Sequence, residues 1–543
     1  MEPTQDLATP TEHDTAAHVV SVVDLLLTIG YIDGTLHDDE KAFIHDYLGR
    51  LVDHVAHPLD SKEAWRAQID SVYERLDSEI AAIAAEVVAA DDASYVRTRL
   101  KVRAVALFRG FSPADQRVAL ELLNAVVHTD GTVTDAEREL HDELLSYFHA
   151  QPTLLVPEVK PPENMLTIDL PIDLPLAAMS HPWLDTLEQP YSADPTTLLL
   201  QLNNDYNLVF EAIKVWERQR ARGNSRLAGI TDVAQLPSGT RLLDGHVYVQ
   251  RPSQPTELIV LGDLHGCYAC LKAALLQSDF IERALRHQAD PVNNPDVKLV
   301  LLGDYIDRGR FSFEGVLRGA LQLLVSLPEH VILLRGNHEF LVRLGEYIVS
   351  AVNPAEAVPA LSQSAPVEVL EAYRHLFDHM PTSFLFDRTL FVHGGIPRED
   401  TFAERYRDLS SLDDSVMRFE MMWGDPVDTD YVPVKLQRES ARFSFGRDQF
   451  RSFMERVGAH TLIRGHEQVD RGFQTFFDLG THRLHTLFSA GGCDNGDLPP
   501  DSRYRSVSPL GLTVRSGSGP LHAVPWPLKY QPFTSATHNG LYR

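Results

Sequence analysis

Five short motifs contain the side chains of this 543-residue chain whose types and spacing could do chemistry. Each motif follows an apolar run, and together they offer carboxylate, amide and imidazole groups, which suit divalent metals. Two such cations about 3.5–4 Å apart can hydrolyse a phosphate ester. The pattern therefore predicts a two-metal phosphoester site. The motifs are Gly-Asp-Leu-His-Gly at 262–266, Gly-Asp-Tyr-Ile-Asp-Arg-Gly at 303–309, Gly-Asn-His-Glu at 336–339, His-Gly-Gly at 393–395 and Arg-Gly-His at 464–466.

The elements that must position these motifs are buried strands of an α/β domain, which we expect at residues 251–515. Apolar runs at 257–261, 297–302 and 330–335 predict three strands, and shorter runs at 390–392 and 461–463 predict two more. Every motif begins where one of these strands ends. Because the carboxyl ends of strands in an open α/β sheet form one edge, ligands that are far apart in sequence converge there.

The predicted ligand set divides between two ions that share one carboxylate. Asp304 is the natural bridging ligand. A water shared by two cations loses a proton near neutral pH, which predicts a metal-bridging hydroxide that attacks phosphorus in line. Strand-end capping is the alternative explanation for these residues, but a turn requires no histidine. The remaining predicted ligands are Asp263 and His265 for one ion, and Asn337, His393 and His466 for the other.

Further side chains of the motifs are predicted to act on the substrate. Arg308 can hold phosphate oxygens with its bidentate guanidinium, and Asn337 is expected to contact substrate as well as metal. His338 can protonate the leaving oxygen, with Asp307 fixing its orientation and raising its basicity. The alternatives are that His338 is a core histidine and that Asp307 simply pairs with Arg308.

The motifs resemble those of the phosphoprotein phosphatase (PPP) family of metallophosphoesterases over roughly residues 255–500. The family assigns the same roles to these positions, and the resemblance implies an α/β fold, an α+β sandwich of the calcineurin-like metallophosphoesterase type. Further matches favour the serine/threonine phosphatase branch over the dinucleotide hydrolases. They are Trp-Gly-Asp-Pro at 423–426, Phe-Ser-Phe-Gly at 443–446, Phe-Ser-Ala at 488–490 and the segment 373–381, similar to the family's helix before His-Gly-Gly.

The sequence departs from the family pattern in three places. The family's second phosphate-binding arginine lies four residues before Phe-x-Phe-Gly, whereas Arg438 lies five before Phe443 and Arg442 one before. Arg438 is the predicted substrate ligand, with Arg442 as the alternative. The family's Pro-Asn-Tyr-Cys is replaced by Gly-Gly-Cys-Asp at 491–494, so its groove tyrosine is absent. Residues 351–366, rich in Pro, Ala and Ser, are predicted to be a surface insertion near the cleft.

Residues 15–150 are predicted to form an all-α domain with an internal repeat. The segment around Asp33-Gly34 recurs around Asp130-Gly131, 97 residues further on. Each copy has an apolar helix, an Asp-Gly turn and an acidic second helix, which Thr134 and Glu137 can cap in the second copy. The arrangement resembles the TerB-like (tellurite-resistance) helical domain. It also resembles half of an EF-hand loop, but the first-half oxygen ligands are missing, which disfavours calcium.

Charge and composition limit the partners, the domain boundaries and the location that can be expected of this chain. The net charge is −27, and residues 1–150 contain 28 acidic against 12 basic residues, an excess that repels nucleic acid and anionic membranes. Residues 1–14 are predicted to be disordered, 151–250 to be a Pro-rich linker and helix, and 516–543 to be a C-terminal tail. Three cysteines form no disulfide framework, and no apolar run has membrane-spanning length, which predicts a cytoplasmic protein. Helix packing, rather than redox chemistry, is expected of Cys267 and Cys270.

The leading hypothesis is a metal-dependent phosphoprotein phosphatase that acts on phosphoserine or phosphothreonine in a phosphoprotein or phosphopeptide. Its two divalent ions are expected to be Mn²⁺ first, with Fe or Zn as alternatives. The acidic helical domain is predicted to be a solvated surface or to bind a protein partner. The alternative functions are a dinucleoside polyphosphate or other small phosphoester hydrolase, a phosphotyrosine-preferring phosphatase, and a phosphate-binding scaffold without activity.

Overall fold

The computed structural model describes residues 12–55, 62–85, 93–111, 113–127, 134–149, 165–517 and 521–543. The chain divides into two compact units. The helical unit comprises Met1–Pro157 with Thr429–Ser444, and the α/β unit comprises Glu158–Asp428 with Phe445–Arg543. The predicted disordered segment 1–14 lies almost entirely outside the described residues. Among those residues, none of the helices combines the length and the apolar character that crossing a membrane requires.

Helices account for most of the secondary structure, and short strands form the sheets. The helices are α1 Glu12–Gly30, α2 Asp38–Val55, α3 Lys62–Ala85, α4 Ala93–Gly110, α5 Pro113–Val127, α6 Asp135–His149, α7 Pro182–Leu187, α8 Pro195–Gly223, α9 Tyr268–Gln277, α10 Phe280–Ala289, α11 Arg318–Ser326, α12 Ala357–Ser362, α13 Val367–His379, α14 Glu399–Arg405, α15 Ser415–Met421, α16 Val434–Gln437 and α17 Arg447–Val457. The strands are β1 Thr167–Ile168, β2 Arg241–Asp244, β3 Val247–Gln250, β4 Thr256–Leu261, β5 Asp296–Leu301, β6 Val331–Leu333, β7 Leu341–Leu344, β8 Tyr347–Ser350, β9 Ser383–Phe386, β10 Thr389–Val392, β11 Gly424–Pro426, β12 Phe443–Phe445, β13 Thr461–Arg464, β14 Phe473–Asp478, β15 Arg483–Leu487, β16 Leu510–Arg515 and β17 His522–Pro527.

The helical unit confirms the predicted all-α region. Its second copy contains the predicted capping box, because Glu137 Oε2 accepts the Thr134 N–H at 2.7 Å and Thr134 Oγ1 accepts the Glu137 N–H at 3.3 Å. In the first copy Glu40 Oε2 accepts the His37 N–H at 2.8 Å. Both glutamates are buried, although glutamate is rarely buried without a partner. The second Asp-Gly turn, predicted at 130–131, lies outside the described residues.

Two mixed sheets form the frame of the α/β unit. The first has the order β1-β17-β16-β4-β5-β6, in which β4, β5 and β6 are parallel and β16 is antiparallel to both β4 and β17. The second has the order β14-β15-β13-β10-β9-β3-β2, in which β10, β13 and β15 are parallel. The mixed α/β class predicted from the sequence is confirmed.

The two sheets pack face to face because alternate residues of their strands point to opposite faces. Phe384 and Phe386 of β9 join the apolar cluster that contains the β4 and β5 side chains. Leu385, between them, joins a second cluster with the aromatic side chains of α14 and α17. Trp216 of α8 is fully buried in the first cluster. The second sheet is therefore covered on both faces, which holds its strand ends in place.

The fold extends beyond the boundaries 251–515 that the sequence predicts for the catalytic domain. Within the predicted linker, β2 and β3 belong to the second sheet, and β3 pairs with β9 in parallel. Within the predicted tail, β17 pairs with β16 along its whole length. The predicted helix near 197–222 is α8, whose first turn Asp194 caps through the Thr197 N–H. The linker and tail predictions are wrong at these strands, which belong to the two sheets of the α/β unit.

Candidate metal centre

The predicted ligands follow the carboxyl ends of five strands, as the sequence predicts. Asp263 and His265 follow β4, Asp304 follows β5, and Asn337 follows β6. Two further ligands come from the second sheet, since β10 leads to His393 and β13 leads to His466. Neighbouring edges of the two sheets therefore supply one cluster. A single bridge between Asp263 and Phe488 links the two edges directly.

The backbone turns sharply where the ligands leave their strands. Five non-glycine residues of the motifs, among them Asp304 at φ 53° and His466 at φ 71°, occupy the left-handed region, which is costly for side chains. Gly303 at φ 110° has no room for a Cβ, which would lie 2.5 Å from the Gly336 nitrogen and 2.9 Å from His393 Nδ1. The close approach of these two loops brings Asp304 between the ligand groups. The other left-handed residues of the motifs are His265, Asp307 and Arg308.

Two groups of ligand atoms share the Asp304 carboxylate. On one side, Asp304 Oδ2 lies 3.4 Å from His265 Nε2. On the other side, Asp304 Oδ1 lies 3.3 Å from His393 Nε2. His393 Nε2 is in turn 3.1 Å from His466 Nδ1 and 2.9 Å from Asn337 Oδ1. These distances place Asp304 where the sequence predicts a bridging ligand, although its role there stays a prediction.

The electrostatics of the cluster fit divalent cations. Burial raises the pKa of Asp263 to about 7, and burial together with the charge of Asp263 raises that of Asp304 well above its usual range. Burial also lowers the pKa values of His265 and His393. In the described part of the chain, Asp263 Oδ2 is buried and accepts no hydrogen bond. Metal ligands must be deprotonated carboxylates and neutral imidazoles, and a cation would restore the charge that burial disfavours here. The donor set therefore fits two divalent ions.

His338 and Asp307 form a pair beside this cluster. His338 Nδ1 lies 2.7 Å from Asp307 Oδ2, and His338 Nε2 lies 3.9 Å from Asp304 Oδ2. Burial would raise the pKa of Asp307, but the hydrogen bonds from His338 and from the Ala357 and Glu356 N–H groups outweigh it and lower that pKa. Nε2 therefore faces the ligands while Nδ1 is anchored. This is the geometry that the predicted orienting role of Asp307 requires.

Arg308 has a different partner from the one that the sequence suggested as an alternative. Its guanidinium does not pair with Asp307 among the described contacts, but lies 3.2 Å from Glu356 Oε1. Glu356 comes from the segment 351–366 that the sequence predicts to be an insertion near the cleft, and it is placed there by a contact that no local pattern predicts.

A second layer of side chains fixes the ligand loops, and sequence reasoning missed one of them, Glu339. Glu339 is fully buried and accepts the N–H groups of Asp304 at 2.8 Å, Tyr305 at 2.9 Å and Gly336 at 3.0 Å. The only sequence signal was its place at the end of Gly-Asn-His-Glu. Asp425, from the Trp-Gly-Asp-Pro match, accepts a hydrogen bond from Arg464 Nη2 at 2.7 Å and lies 3.7 Å from His466 Nε2, which places it behind a predicted ligand.

Tyr504, an aromatic residue outside the five motifs, also contacts the cluster. The Tyr504 ring stacks on the His265 ring, with centroids 5.3 Å apart and planes 21° apart, and packs edge-on against Phe488. The family's groove tyrosine is absent from 491–494, as predicted, so the aromatic neighbour of His265 comes from further along the chain. Its signal in the sequence was too weak to find.

Arg438 and Arg442 belong to Thr429–Ser444, which groups with the helical unit, and phosphate contact by either stays a prediction. Cys267 and Cys270 are buried and unbridged, which agrees with packing. A third group, His287, Asp296 and His330, lies at the opposite edge of the first sheet.

The ammonium of Lys298 accounts for the third group, because it supplies the positive charge beside Asp296. The ammonium lies 2.7 Å from Asp296 Oδ1 and is fully buried, so a cation already neutralises the carboxylate. The His287 and His330 side chains lie 3.7 and 3.6 Å from the same oxygen. The group is a buried ion-pair cluster that closes the amino-terminal edge of the sheet, away from the predicted ligands.

A mixed sandwich with a buried Asp, His and Asn cluster at its strand ends defines a metallophosphoesterase domain. Residues 256–470 match the calcineurin-like phosphoesterase family. The chain is 27% identical over 260 residues to a probable serine/threonine-protein phosphatase of Encephalitozoon cuniculi (strain GB-M1), an alignment that covers 47% of this chain and 51% of that relative. The chain thus spans about half the length of the curated relative it matches. It contains a calcineurin-like phosphoesterase domain and is a homologue of serine/threonine phosphatases.

Solved structures give more distant likenesses. One is a protein serine/threonine phosphatase from Saccharomyces cerevisiae with similarity to human phosphatase PP5, at 17% identity and a TM-score of 0.40, covering 60% of this chain and 89% of that chain. Another is the cold-active protein-tyrosine phosphatase of a Shewanella species, at 15% identity and a TM-score of 0.30, covering 50% of this chain and 79% of that chain.

Proposed function

We propose that this protein is a metal-dependent phosphoprotein phosphatase that hydrolyses phosphoserine and phosphothreonine monoesters. The observation that carries the proposal is the pair of buried ligand groups that share Asp304. The homology to a protein named as a serine/threonine phosphatase supports the choice of substrate. Two divalent cations held by these ligands would activate water and neutralise phosphate charge. We propose Mn²⁺ for both positions, with Fe or Zn as alternatives, because the oxygen and imidazole ligands accept each of them.

The chain's own residues would then perform the remaining steps. Arg308 binds two phosphate oxygens through its guanidinium. His338 gives a proton from Nε2 to the leaving serine or threonine oxygen, while Asp307 at 2.7 Å holds the ring by Nδ1. Asp304 aligns the two ligand groups, and Glu339 keeps the Asp304 backbone in place. An alkoxide is a poor leaving group, so the proton from His338 matters most for phosphoserine and phosphothreonine.

The experiment compares the purified full chain, supplied with Mn²⁺, on a phosphoserine peptide, a phosphotyrosine peptide, a dinucleoside polyphosphate and p-nitrophenyl phosphate. Asp304→Asn should lower the rate on the phosphopeptide by more than about a hundredfold, since it removes the shared ligand. Asp290→Asn, in the loop after α10, is the matched control and should keep the parent's rate. Equal rates for Asp304→Asn and the parent would refute the two-metal proposal.

Phosphotyrosine preference is the second candidate, because the loop at 491–494 lacks the family's groove tyrosine. Gly491 at φ 152° and Gly492 at φ 114° give this loop a backbone that an ordinary side chain rarely adopts. A higher kcat/KM for the phosphotyrosine peptide would select this candidate. Cleavage of only the dinucleoside polyphosphate would reject both protein substrates.

The helical unit we propose to be a TerB-like module that binds a protein partner through its acidic surface. The repeat of an apolar helix, an Asp-Gly turn and an acidic helix supports this proposal, as does the excess of 28 acidic over 12 basic residues in 1–150. We also propose a cytoplasmic location, which the free, buried cysteines Cys267 and Cys270 support. Affinity capture with the full chain and with a variant whose α6 acidic side chains are neutralised would test the partner surface.

A further inference from the structure

Glu356 pairs with Arg308, the side chain that the proposed reaction needs for binding phosphate. Its Oε1 lies 3.2 Å from Arg308 Nη1, and its Oε2 accepts the backbone N–H of Arg308 at 3.2 Å. A carboxylate presents two oxygens to a guanidinium in the same planar, bidentate manner as a phosphate does. Glu356 places one oxygen on the guanidinium and the other on the backbone N–H of Arg308, so it occupies a guanidinium N–H that a substrate phosphate would use.

The segment that carries Glu356 is fastened next to the proposed general acid. Asp307 Oδ1 accepts the N–H groups of Glu356 at 2.9 Å and Ala357 at 2.8 Å, at the start of α12. The other oxygen of Asp307 is paired with His338. The consecutive residues Asp307 and Arg308 thus both contact the beginning of α12. These contacts keep the Glu356 carboxylate close to the Arg308 guanidinium.

The ion pair itself is exposed to water, which distinguishes it from a structural salt bridge. The Glu356 side chain is 53% exposed and the Arg308 side chain is 23% exposed. Exposed ion pairs are weak, whereas a phosphate dianion that two divalent cations at the predicted ligands would also hold would bind much more firmly. Incoming phosphate can therefore displace Glu356, and doing so breaks no buried contact.

We propose that Glu356 is a specificity-determining residue that competes with substrate phosphate for Arg308 and thereby sets the KM of the site. This inference rests on the proposed function, since it assigns Arg308 to phosphate binding. In the resting protein the carboxylate holds the guanidinium. When phosphate binds, the carboxylate turns outward to water, while the backbone contacts between Asp307 and α12 stay in place. Segment 351–366 is thus part of the substrate site.

The test uses the full chain and the Glu356→Gln variant. Glutamine keeps an oxygen for the Arg308 N–H but loses the charge that holds the guanidinium. With Mn²⁺ present, we expect the dissociation constant for inorganic phosphate, measured by titration calorimetry, to fall by about three- to fivefold, the range of an exposed ion pair. The KM for p-nitrophenyl phosphate should fall by the same factor with kcat within about twofold, and 0.5 M salt should reduce both differences.

Two controls identify the cause. Glu368→Gln removes the same charge from the first turn of α13 and should leave phosphate binding unchanged. In the Arg308→Ala background, adding Glu356→Gln should tighten phosphate binding no further, because no guanidinium remains for which to compete. A continued three- to fivefold gain in that background would show general charge repulsion and would overturn the proposal.

The remaining outcomes separate this inference from the proposed function. Equal phosphate affinity in the parent and Glu356→Gln, with normal hydrolysis, refutes the inference alone. A tenfold fall in kcat at constant affinity would mean that Glu356 positions Arg308 for catalysis, which also refutes it. Tighter phosphate binding in a protein that hydrolyses no phosphate ester refutes the proposed function and leaves the competition standing.

Discussion

Glu339 offers the sharpest test of how the backbone holds the metal ligands. Its two carboxylate oxygens accept three N–H groups within 3.0 Å, from Asp304, Tyr305 and Gly336, and all of these groups are buried. Glu339→Gln keeps the shape but replaces one oxygen by an NH₂ group, which faces N–H donors instead of accepting from them. At least one charge-assisted hydrogen bond is lost, and its donor is left buried without an acceptor.

The size of the effect follows from these contacts. A hydrogen bond to a charged group contributes about 1.5–3 kcal/mol, so losing one or two lowers the unfolding free energy of the α/β unit by about 2–5 kcal/mol. Because the same loops carry Asp304, Mn²⁺ affinity should fall by about ten- to a hundredfold, as for other residues that orient ligands.

The assays are guanidinium unfolding of the full chain and a titration of activity with Mn²⁺. Glu211→Gln, on the exposed face of α8, removes one glutamate whose partner is Lys214 and should change stability by less than about 0.5 kcal/mol. A Glu339→Gln protein within 0.5 kcal/mol of the parent, with the same Mn²⁺ requirement, would refute the assigned role of this carboxylate.

Two further predictions concern the proton donor and the helical unit. Asp307→Asn should lower kcat on a phosphoserine peptide by about a hundredfold, yet lower it much less on p-nitrophenyl phosphate, whose leaving group needs no proton; equal losses on both substrates would contradict the role of His338. Burial raises the pKa of Glu40 to about 7; the hydrogen bond from the His37 N–H opposes this rise, and the charge of Glu137 adds to it by a smaller amount. The stabilising contribution of Glu40 is present below the unfolded pKa near 4.5 and is lost as the pH rises through 7, so Glu40→Gln should slow hydrogen exchange in α2 at pH 8 relative to the parent and do so less at pH 5. A pH-independent difference would show that Glu40 does not titrate there.

Much of the central architecture could be predicted because its signals are local. The apolar run at 257–261 is β4, and the run at 297–302 is β5 shifted by one residue. Each predicted ligand lies just after a strand, and strand ends converge by the rules of α/β topology. The pairing of β3 with β9 could not be predicted, since it depends on contacts between segments that are far apart in sequence. β17 pairs with the neighbouring β16, although the sequence assigned its residues to a tail.

The functional residues that sequence reasoning missed share one property: each acts through a distant partner. Glu339 belongs to a recognised motif, but its role depends on the backbone of 304–306, which only the fold brings near. Glu356 lies in the segment rich in Pro, Ala and Ser, and its charge matters only because Asp307 fastens the start of α12. Motifs thus predict which groups do chemistry. The groups that restrain them can be found only from the packed structure.

Tyr504 is another group that can be found only from the packed structure. The sequence departs from its family at 491–494, where a tyrosine is missing, and this departure alone would suggest an open, featureless groove. The structure instead places the Tyr504 ring against His265 and Phe488, and the charge of Arg308 acts on its buried hydroxyl. An aromatic wall is therefore present but is built from a different segment. Since the ring stacks on His265, the aromatic neighbour of this predicted ligand has a different origin from the family's groove tyrosine, which is a physical reason to measure phosphotyrosine and phosphoserine peptides side by side.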